Sequence, residues 1–212
     1  MLQSIRKNKR ATRIPFIILT IAIAASLVGY FAMGSGPLPS VPVGEPAGTN
    51  AGDATAAAVS QQQTSIRQLE QALKLNESNP QLWVQLGNAY YDLGGIYSGQ
   101  QRFSEAQQEF SLAVDAYRKS LAMDGSQVDV RVDMATAAYF AGRDEDAEKN
   151  FTQVLEQNPD HLIANLNYGV FLADRKNNYE KAVTYWQKVV KLDPDGLGPQ
   201  AKKLIESMKP QG

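Results

Sequence analysis

Apolar residues recur every three or four positions along most of the chain beyond residue 62, with polar residues between them. Two of these apolar stripes consist of Ala147, Phe151, Val154 and Leu155, and of Ala182, Trp186, Val189 and Val190. Such spacing places side chains on one face of an α-helix. The stripes end at Asn158-Pro159 and Asp193-Pro194, because the residue before a proline disfavours helical backbone. The pattern therefore predicts an all-α fold of short amphipathic helices.

The predicted helices fall into similar units. One unit of 34 residues spans 128–161, and the next, one residue longer, spans 162–196. The unit 80–127 aligns only with about 14 additional residues near 94–111, which is close to four helical turns. Two antiparallel helices that are each longer by two turns would accommodate them, so we expect a protruding hairpin. Gly94-Gly95 argues against full continuity of its first helix.

Shorter elements flank the three units. Residues 62–79 have the apolar spacing of a second helix, and its first helix is either missing or formed loosely by the alanine-rich stretch before it. Residues 199–208 begin with a proline and contain two lysines, which is typical of a solvated end helix. A repeat array needs such caps because a terminal unit would otherwise expose its apolar face.

Two sequence motifs carry a family resemblance. Trp83-x-x-Leu86-Gly87-x-x-Tyr90 opens one unit, and Ala147-x-x-x-Phe151 followed by Pro159 closes another. Together they resemble the two halves of the tetratricopeptide repeat (TPR) pattern over roughly residues 62–208. Arg131 and Asn165 stand where the pattern has tryptophan. The resemblance implies a solenoid of helical hairpins whose first helices line a concave groove, and the groove binds a peptide or helix of another protein.

The resemblance also implies which residues face that groove. They are Gln85, Asn88, Tyr91, Asp92, Asp133, Thr136, Tyr139, Phe140, Asn167, Val170 and Asp174. The set contains no lysine or arginine, so a site that grips a C-terminal carboxylate is not expected, although Asn88 matches one position of such clamps. Asp92, Asp133 and Asp174 indicate a partner segment with basic and apolar side chains. The alternative is that these aspartates only solvate the surface.

The N-terminal region has a different character. Residues 14–33 contain no charge and would form a helix about 30 Å long, which matches the hydrocarbon core of a bilayer. Residues 1–13 contain five lysines and arginines, and the positive-inside rule places such a tail in the cytoplasm. Residues 34–61, with five glycines and four prolines, are predicted to be a flexible linker. A cleaved signal peptide is the alternative, but Ala32-Met33-Gly34 is a poor cleavage site.

Composition excludes several classes of activity. The chain has no cysteine and one histidine, His161, which excludes thiolate chemistry and multi-histidine metal sites and leaves little room for a Ser-His-Asp triad. Beyond residue 13 the acidic residues outnumber the basic ones, so a general nucleic-acid surface is not expected. We therefore expect no catalysis, no cofactor and no metal.

These observations predict a bacterial single-pass membrane protein, anchored by residues 14–33, with its repeat domain outside the cytoplasm. Its expected function is that of an adaptor or scaffold that binds a protein partner in the groove. One alternative is a chaperone-like factor in bacterial c-type cytochrome maturation or cell-envelope assembly, because anchored TPR proteins of similar layout serve there. Another is a homo-oligomeric, self-assembling scaffold whose groove binds a neighbouring copy.

Overall fold

The computed structural model describes residues 51–208, with side chains from residue 55 onward, and this part of the chain consists of eight helices without a strand. The helices are α1 Ala51–Leu75, α2 Pro80–Gly99, α3 Phe103–Met123, α4 Val128–Phe140, α5 Asp144–Gln157, α6 Leu162–Asp174, α7 Tyr179–Leu192 and α8 Gly198–Ser207. Short turns join each helix to the next, and consecutive helices pack against each other as stacked hairpins, α2/α3, α4/α5 and α6/α7. The all-α repeat architecture is confirmed.

The predicted basic tail, membrane anchor and first part of the linker lie outside the described residues. Within residues 51–208, no helix combines the length and apolar character needed to cross a membrane. The structure differs from the sequence prediction at residues 51–61, which were expected to belong to a flexible linker and instead form the first turns of α1. The reason is that alanine is the strongest helix former, and Val59 already packs against the core beneath α2.

The first hairpin is the long one. Helices α2 and α3 contain 20 and 21 residues, against 13 and 14 for α4 and α5. The expected lengthening of both helices is therefore confirmed. The expected interruption at Gly94-Gly95 is wrong, because α2 continues through both glycines. Gly94 lies so close to α3 that a Cβ atom there would be 2.9 Å from the ring of Phe110.

In the first and third hairpins, a glycine of the first helix lies opposite a large aromatic residue of the second. A Cβ atom on Gly87 would lie 2.6 Å from the ring of Tyr117, and one on Gly169 would lie 2.4 Å from Nε1 of Trp186. Ala135 occupies the matched position of α4 and is fully buried. The two glycines therefore allow the two helices of the hairpin to pack more closely than any side chain would permit. The gain from this packing outweighs the cost of about 1 kcal/mol for a glycine within a helix.

Arg131 and Asn165, which replace the tryptophan of the repeat pattern, keep one of its hydrogen bonds. At this position, a side-chain N–H donates a hydrogen bond to the backbone carbonyl six residues earlier, in the preceding turn. The three bonds are Trp83 Nε1 to Glu77 (2.9 Å), Arg131 Nη2 to Gly125 (3.1 Å) and Asn165 Nδ2 to Pro159 (2.8 Å). Arginine and asparagine thus keep the donor that satisfies the carbonyl of the turn.

The two ends of the stack are covered differently. Helix α8 places Ala201 and Leu204 in the core beside α7 and exposes Lys202 and Lys203 to solvent. It therefore acts as the predicted solvated cap. Helix α1 packs on α2 through Ile66 and other apolar residues, in the manner of the second helix of a repeat. No described helix precedes it.

Candidate protein-binding surface

The first helices of the three hairpins carry the predicted groove residues, four on α2, four on α4 and three on α6. Contacts between helices place many of them on one continuous surface. The ring centroids of Tyr91 and Phe140 are 6.2 Å apart, which connects α2 to α4. The side chain of Asn167 reaches Thr136, which connects α6 to α4. These contacts define a surface formed by α2, α4 and α6, called the first-helix surface below.

The α4–α6 half of this surface is closed by its own contacts. The Asn167 amide donates a hydrogen bond of 3.1 Å to Thr136 Oγ1, and the Tyr139 hydroxyl donates one of 3.0 Å to Asp174. Tyr139 is only 6% exposed and Val170 only 4%. In this half, the residues expected to contact a partner chiefly hold the two helices together.

Arg175, which the sequence reasoning did not select, completes this closed half. Its Nη2 donates to the Tyr139 carbonyl at 3.1 Å, and its guanidinium lies 5.0 Å from the centre of the Tyr139 ring. Its Nε is 3.6 Å from the Asp174 carboxylate and 3.5 Å from that of Asp144. Asp174 is therefore paired within the protein. No repeat pattern could identify Arg175, because it follows the last residue of α6 and enters the surface by folding back.

The α2–α4 half has an aromatic floor. Phe110 of α3 lies beneath it, with its ring stacked 5.0 Å from Phe140 and in edge contact with Tyr91 at 5.2 Å. Beside this cluster, the Tyr117 hydroxyl donates a hydrogen bond of 2.8 Å to Asn88 Oδ1. Second-helix residues thus support the surface from below. The apolar spacing of the sequence gives no sign that Phe110 would reach the first-helix surface.

Two carboxylates in this half have no partner. Asp92 of α2 and Asp133 of α4 form no hydrogen bond or ion pair with any described residue. Burial raises the pKa of Asp92 to about 6. The side chain of Asp133 is exposed to solvent, but the protein atoms around it desolvate the carboxylate in part, and this effect together with the charge of Asp129 raises its pKa to about 7.

The same two carboxylates act on the neighbouring tyrosines. Burial raises the pKa of the Tyr91 and Tyr117 hydroxyls well above the ordinary value, and the charges of Asp133 and Asp92 raise it further. Both carboxylates therefore lie within electrostatic reach of both hydroxyls. The α2–α4 half is a negatively charged surface with an aromatic floor.

The other candidate ligands or catalytic groups, His161 and the acidic residues at the start of α5, form contacts within the protein. His161 Nδ1 accepts the Ala164 N–H at the start of α6, and its Nε2 lies 3.0 Å from Asp129. The acidic first turn of α5 includes Asp146, which pairs with Arg118 and Arg143. In residues 51–208, no three histidine or carboxylate side chains are grouped as a metal site would need.

Comparison with known families agrees with this architecture. Models described as tetratricopeptide repeat match residues 132–196 and 87–120, and one described as TPR repeat matches residues 60–94. Together these matches cover more than half of the chain. The chain belongs to the tetratricopeptide repeat family.

Solved structures of similar fold include two of MamA. One is 16% identical, with a TM-score of 0.54, and the match covers 76% of this chain and 94% of that one. The other is 17% identical, with a TM-score of 0.53, covering 74% and 85%. YrrB, described as a TPR protein with an unusual peptide-binding site, is 23% identical with a TM-score of 0.37, covering 69% and 86%. No curated protein sequence matches the chain. The likeness to MamA concerns the fold.

Proposed function

We propose that this protein is a non-enzymatic adaptor that binds a segment of another protein on its first-helix surface. The observation that carries the proposal is the pair of unpartnered carboxylates, Asp92 and Asp133, beside the aromatic floor of the α2–α4 half. A partly buried carboxylate without a partner, such as that of Asp92, destabilises a protein. A surface that combines it with the nearby charge of Asp133 is suited to a ligand that supplies a positive charge.

We further propose that the repeat domain is tethered to a bacterial membrane by residues 14–33 and lies outside the cytoplasm. The support is the uncharged length of this segment and the five basic residues that precede it. Fusion of a reporter enzyme that is active only outside the cytoplasm, placed after residue 212, tests this. Activity of the fusion supports the tether, and its absence with a well-expressed chain contradicts it.

Photocrosslinking in native membranes tests the adaptor function. Gln85 is exposed on α2, so a photoreactive amino acid at this position samples the α2–α4 half without disturbing the core. Lys149 is exposed on α5, a second helix, and serves as the matched control. We expect a discrete protein to be crosslinked from position 85 and not from position 149. Equal patterns from both positions would contradict the proposal.

The identity of the crosslinked protein distinguishes the narrower roles. An apocytochrome would favour a chaperone-like function in c-type cytochrome maturation, and an envelope component would favour cell-envelope assembly. Crosslinks to a second copy of this chain alone would overturn the adaptor in favour of a self-assembling scaffold. We propose the general adaptor because the described contacts favour a basic and apolar segment without specifying its owner.

A further inference from the structure

The first-helix surface has two unlike halves, and the difference indicates where a partner binds. In the α4–α6 half, Asp174 is paired with Tyr139 and Arg175, and Asn167 is bonded to Thr136. A ligand would have to break these contacts to reach the polar groups. In the α2–α4 half, Asp92 and Asp133 have no such contacts.

Within residues 51–208, no basic residue forms an ion pair or hydrogen bond with either of these two carboxylates. Helix α2 contains no lysine or arginine, and α4 contains only Arg131. The guanidinium of Arg131 is engaged elsewhere, with the Gly125 carbonyl and the side chains of Asn150 and Gln153. Across the surface, Asp129 adds a further negative charge and contacts His161. A compensating cation must therefore come from outside the described part of the chain.

The acceptors in this half suit a cationic side chain. The Tyr91 hydroxyl forms no hydrogen bond with a described residue, so it adds a third oxygen to those of Asp92 and Asp133. An ammonium group has three donors, and a guanidinium has five in a planar fork. The rings of Tyr91 and Phe140, 6.2 Å apart in the same half, can receive the methylene groups or the charge itself.

We propose that the partner segment binds to the α2–α4 half alone and places a lysine or arginine side chain between Asp92 and Asp133, with an adjacent apolar residue on the rings of Tyr91 and Phe140. This inference rests on the proposed adaptor function and adds to it the position and the chemical specificity of binding. Asp174 has a structural role in this scheme and does not contact the partner.

Selection from a phage-displayed library of random dodecapeptides on the purified full-length chain tests the inference. We expect lysine or arginine to be enriched among peptides selected by the wild type and by Asp174→Asn. We expect the enrichment to be lost with Asp92→Asn or Asp133→Asn, which keep the shape of the side chain and remove its charge. A peptide selected by the wild type should bind about tenfold more weakly to each of these two variants.

A change in the peptide rather than in the protein provides a second test. Replacing the selected lysine or arginine by norleucine should weaken binding to the wild type and have little further effect on Asp92→Asn. This measurement holds even where a protein variant folds poorly. Circular dichroism of each variant verifies that the helix content is unchanged.

The outcomes separate this inference from the proposed function. A wild-type chain that selects no peptide contradicts both. Selected peptides without basic residues, or a basic preference that survives Asp92→Asn and Asp133→Asn, would overturn the inference and leave the adaptor function standing. Loss of binding with Asp174→Asn, equal to that with Asp92→Asn, would show that the whole first-helix surface binds the partner.

Discussion

Asp133, on the proposed binding surface, carries a charge that the folded protein disfavours. Desolvation by the surrounding protein and repulsion by Asp129 raise the pKa of its carboxylate to about 7. Between its ordinary pKa near 4 and this value, the folded protein binds more protons at Asp133 than the unfolded chain does. The contribution of Asp133 to the free energy of unfolding therefore becomes more unfavourable as the pH rises through this window.

Asp133→Asn should consequently stabilise the unliganded protein at pH 8 and leave it unchanged at pH 4. Because the side chain touches solvent, screening should keep the gain below ~1 kcal/mol. Urea unfolding of both chains at the two pH values measures it. Asp115→Asn serves as the control, since it removes an exposed aspartate that pairs with Arg118 and Arg143. A stabilisation that does not depend on pH would contradict the assignment to Asp133.

Gly169 and Gly95 form a matched pair in which the same substitution should have opposite effects. A Cβ atom at Gly169 would lie 2.4 Å from Trp186 Nε1, and the Trp186 ring is held by its hydrogen bond of 3.1 Å to the Leu166 carbonyl. A Cβ atom at Gly95 would have no neighbour within 4 Å. We expect Gly169→Ala to lower the free energy of unfolding by about 1–3 kcal/mol through overpacking.

We expect Gly95→Ala to raise the free energy of unfolding by up to about 1 kcal/mol, because alanine is favoured over glycine within a helix. Thermal or urea unfolding of the two variants provides the comparison. If Gly169→Ala were also stabilising, the close approach of α6 and α7 would not be the reason for glycine at this position.

At the scale of the element, α1 is longer than the repeat pattern predicts. Its turns over residues 51–61 come before the first residue that the pattern assigns to the domain. Gln62 and Gln63 fasten the helix to the first hairpin through the Ala89 carbonyl and the Tyr97 hydroxyl. Together with the packing of Val59 against the core beneath α2, these contacts hold a helix that extends the folded unit towards the predicted anchor, so less chain remains to serve as a linker.

Substitution of Ala58 by glycine or by proline tests whether α1 extends over residues 51–61. In a helix, Ala58→Gly should cost about 1 kcal/mol and Ala58→Pro about 3 kcal/mol, with a corresponding loss of helical circular dichroism. Fraying near the start of α1 would reduce both values but preserve their order. A flexible linker at this position would tolerate both substitutions without a change in stability or helicity.

At the scale of the whole molecule, the sequence predicts the order and the faces of the helices well. Repeat spacing predicts which residues are buried, because the apolar face of each helix packs against the neighbouring helix of the array. The groove residues are harder to predict. Position within a repeat places Asp174 and Asp92 on equivalent surfaces, but one is paired with Arg175 and the other has no partner. That difference depends on which side chains fold back from turns, and repeat spacing carries no information on it.

Repeat spacing also fails to predict that α1 begins at residue 51. Glycine and proline between residues 34 and 52 break any periodic pattern, and alanine fits a helix without marking a packed face. Only the packing of Val59 and of later residues such as Ile66 against the core beneath α2 shows that the alanine-rich turns continue a packed helix.

The lengths of the first hairpin have a consequence for how this array could have diverged from more regular ancestors. Both α2 and α3 exceed their counterparts in the next hairpin by seven residues. Seven residues rotate a helix by about 700°, within about 20° of two full turns. Insertions of this size leave the buried stripe of each helix in phase with its partner, whereas five residues would turn it away by about 140°. Divergence in this family should therefore proceed by paired insertions close to whole turns, matched in the two helices of a hairpin.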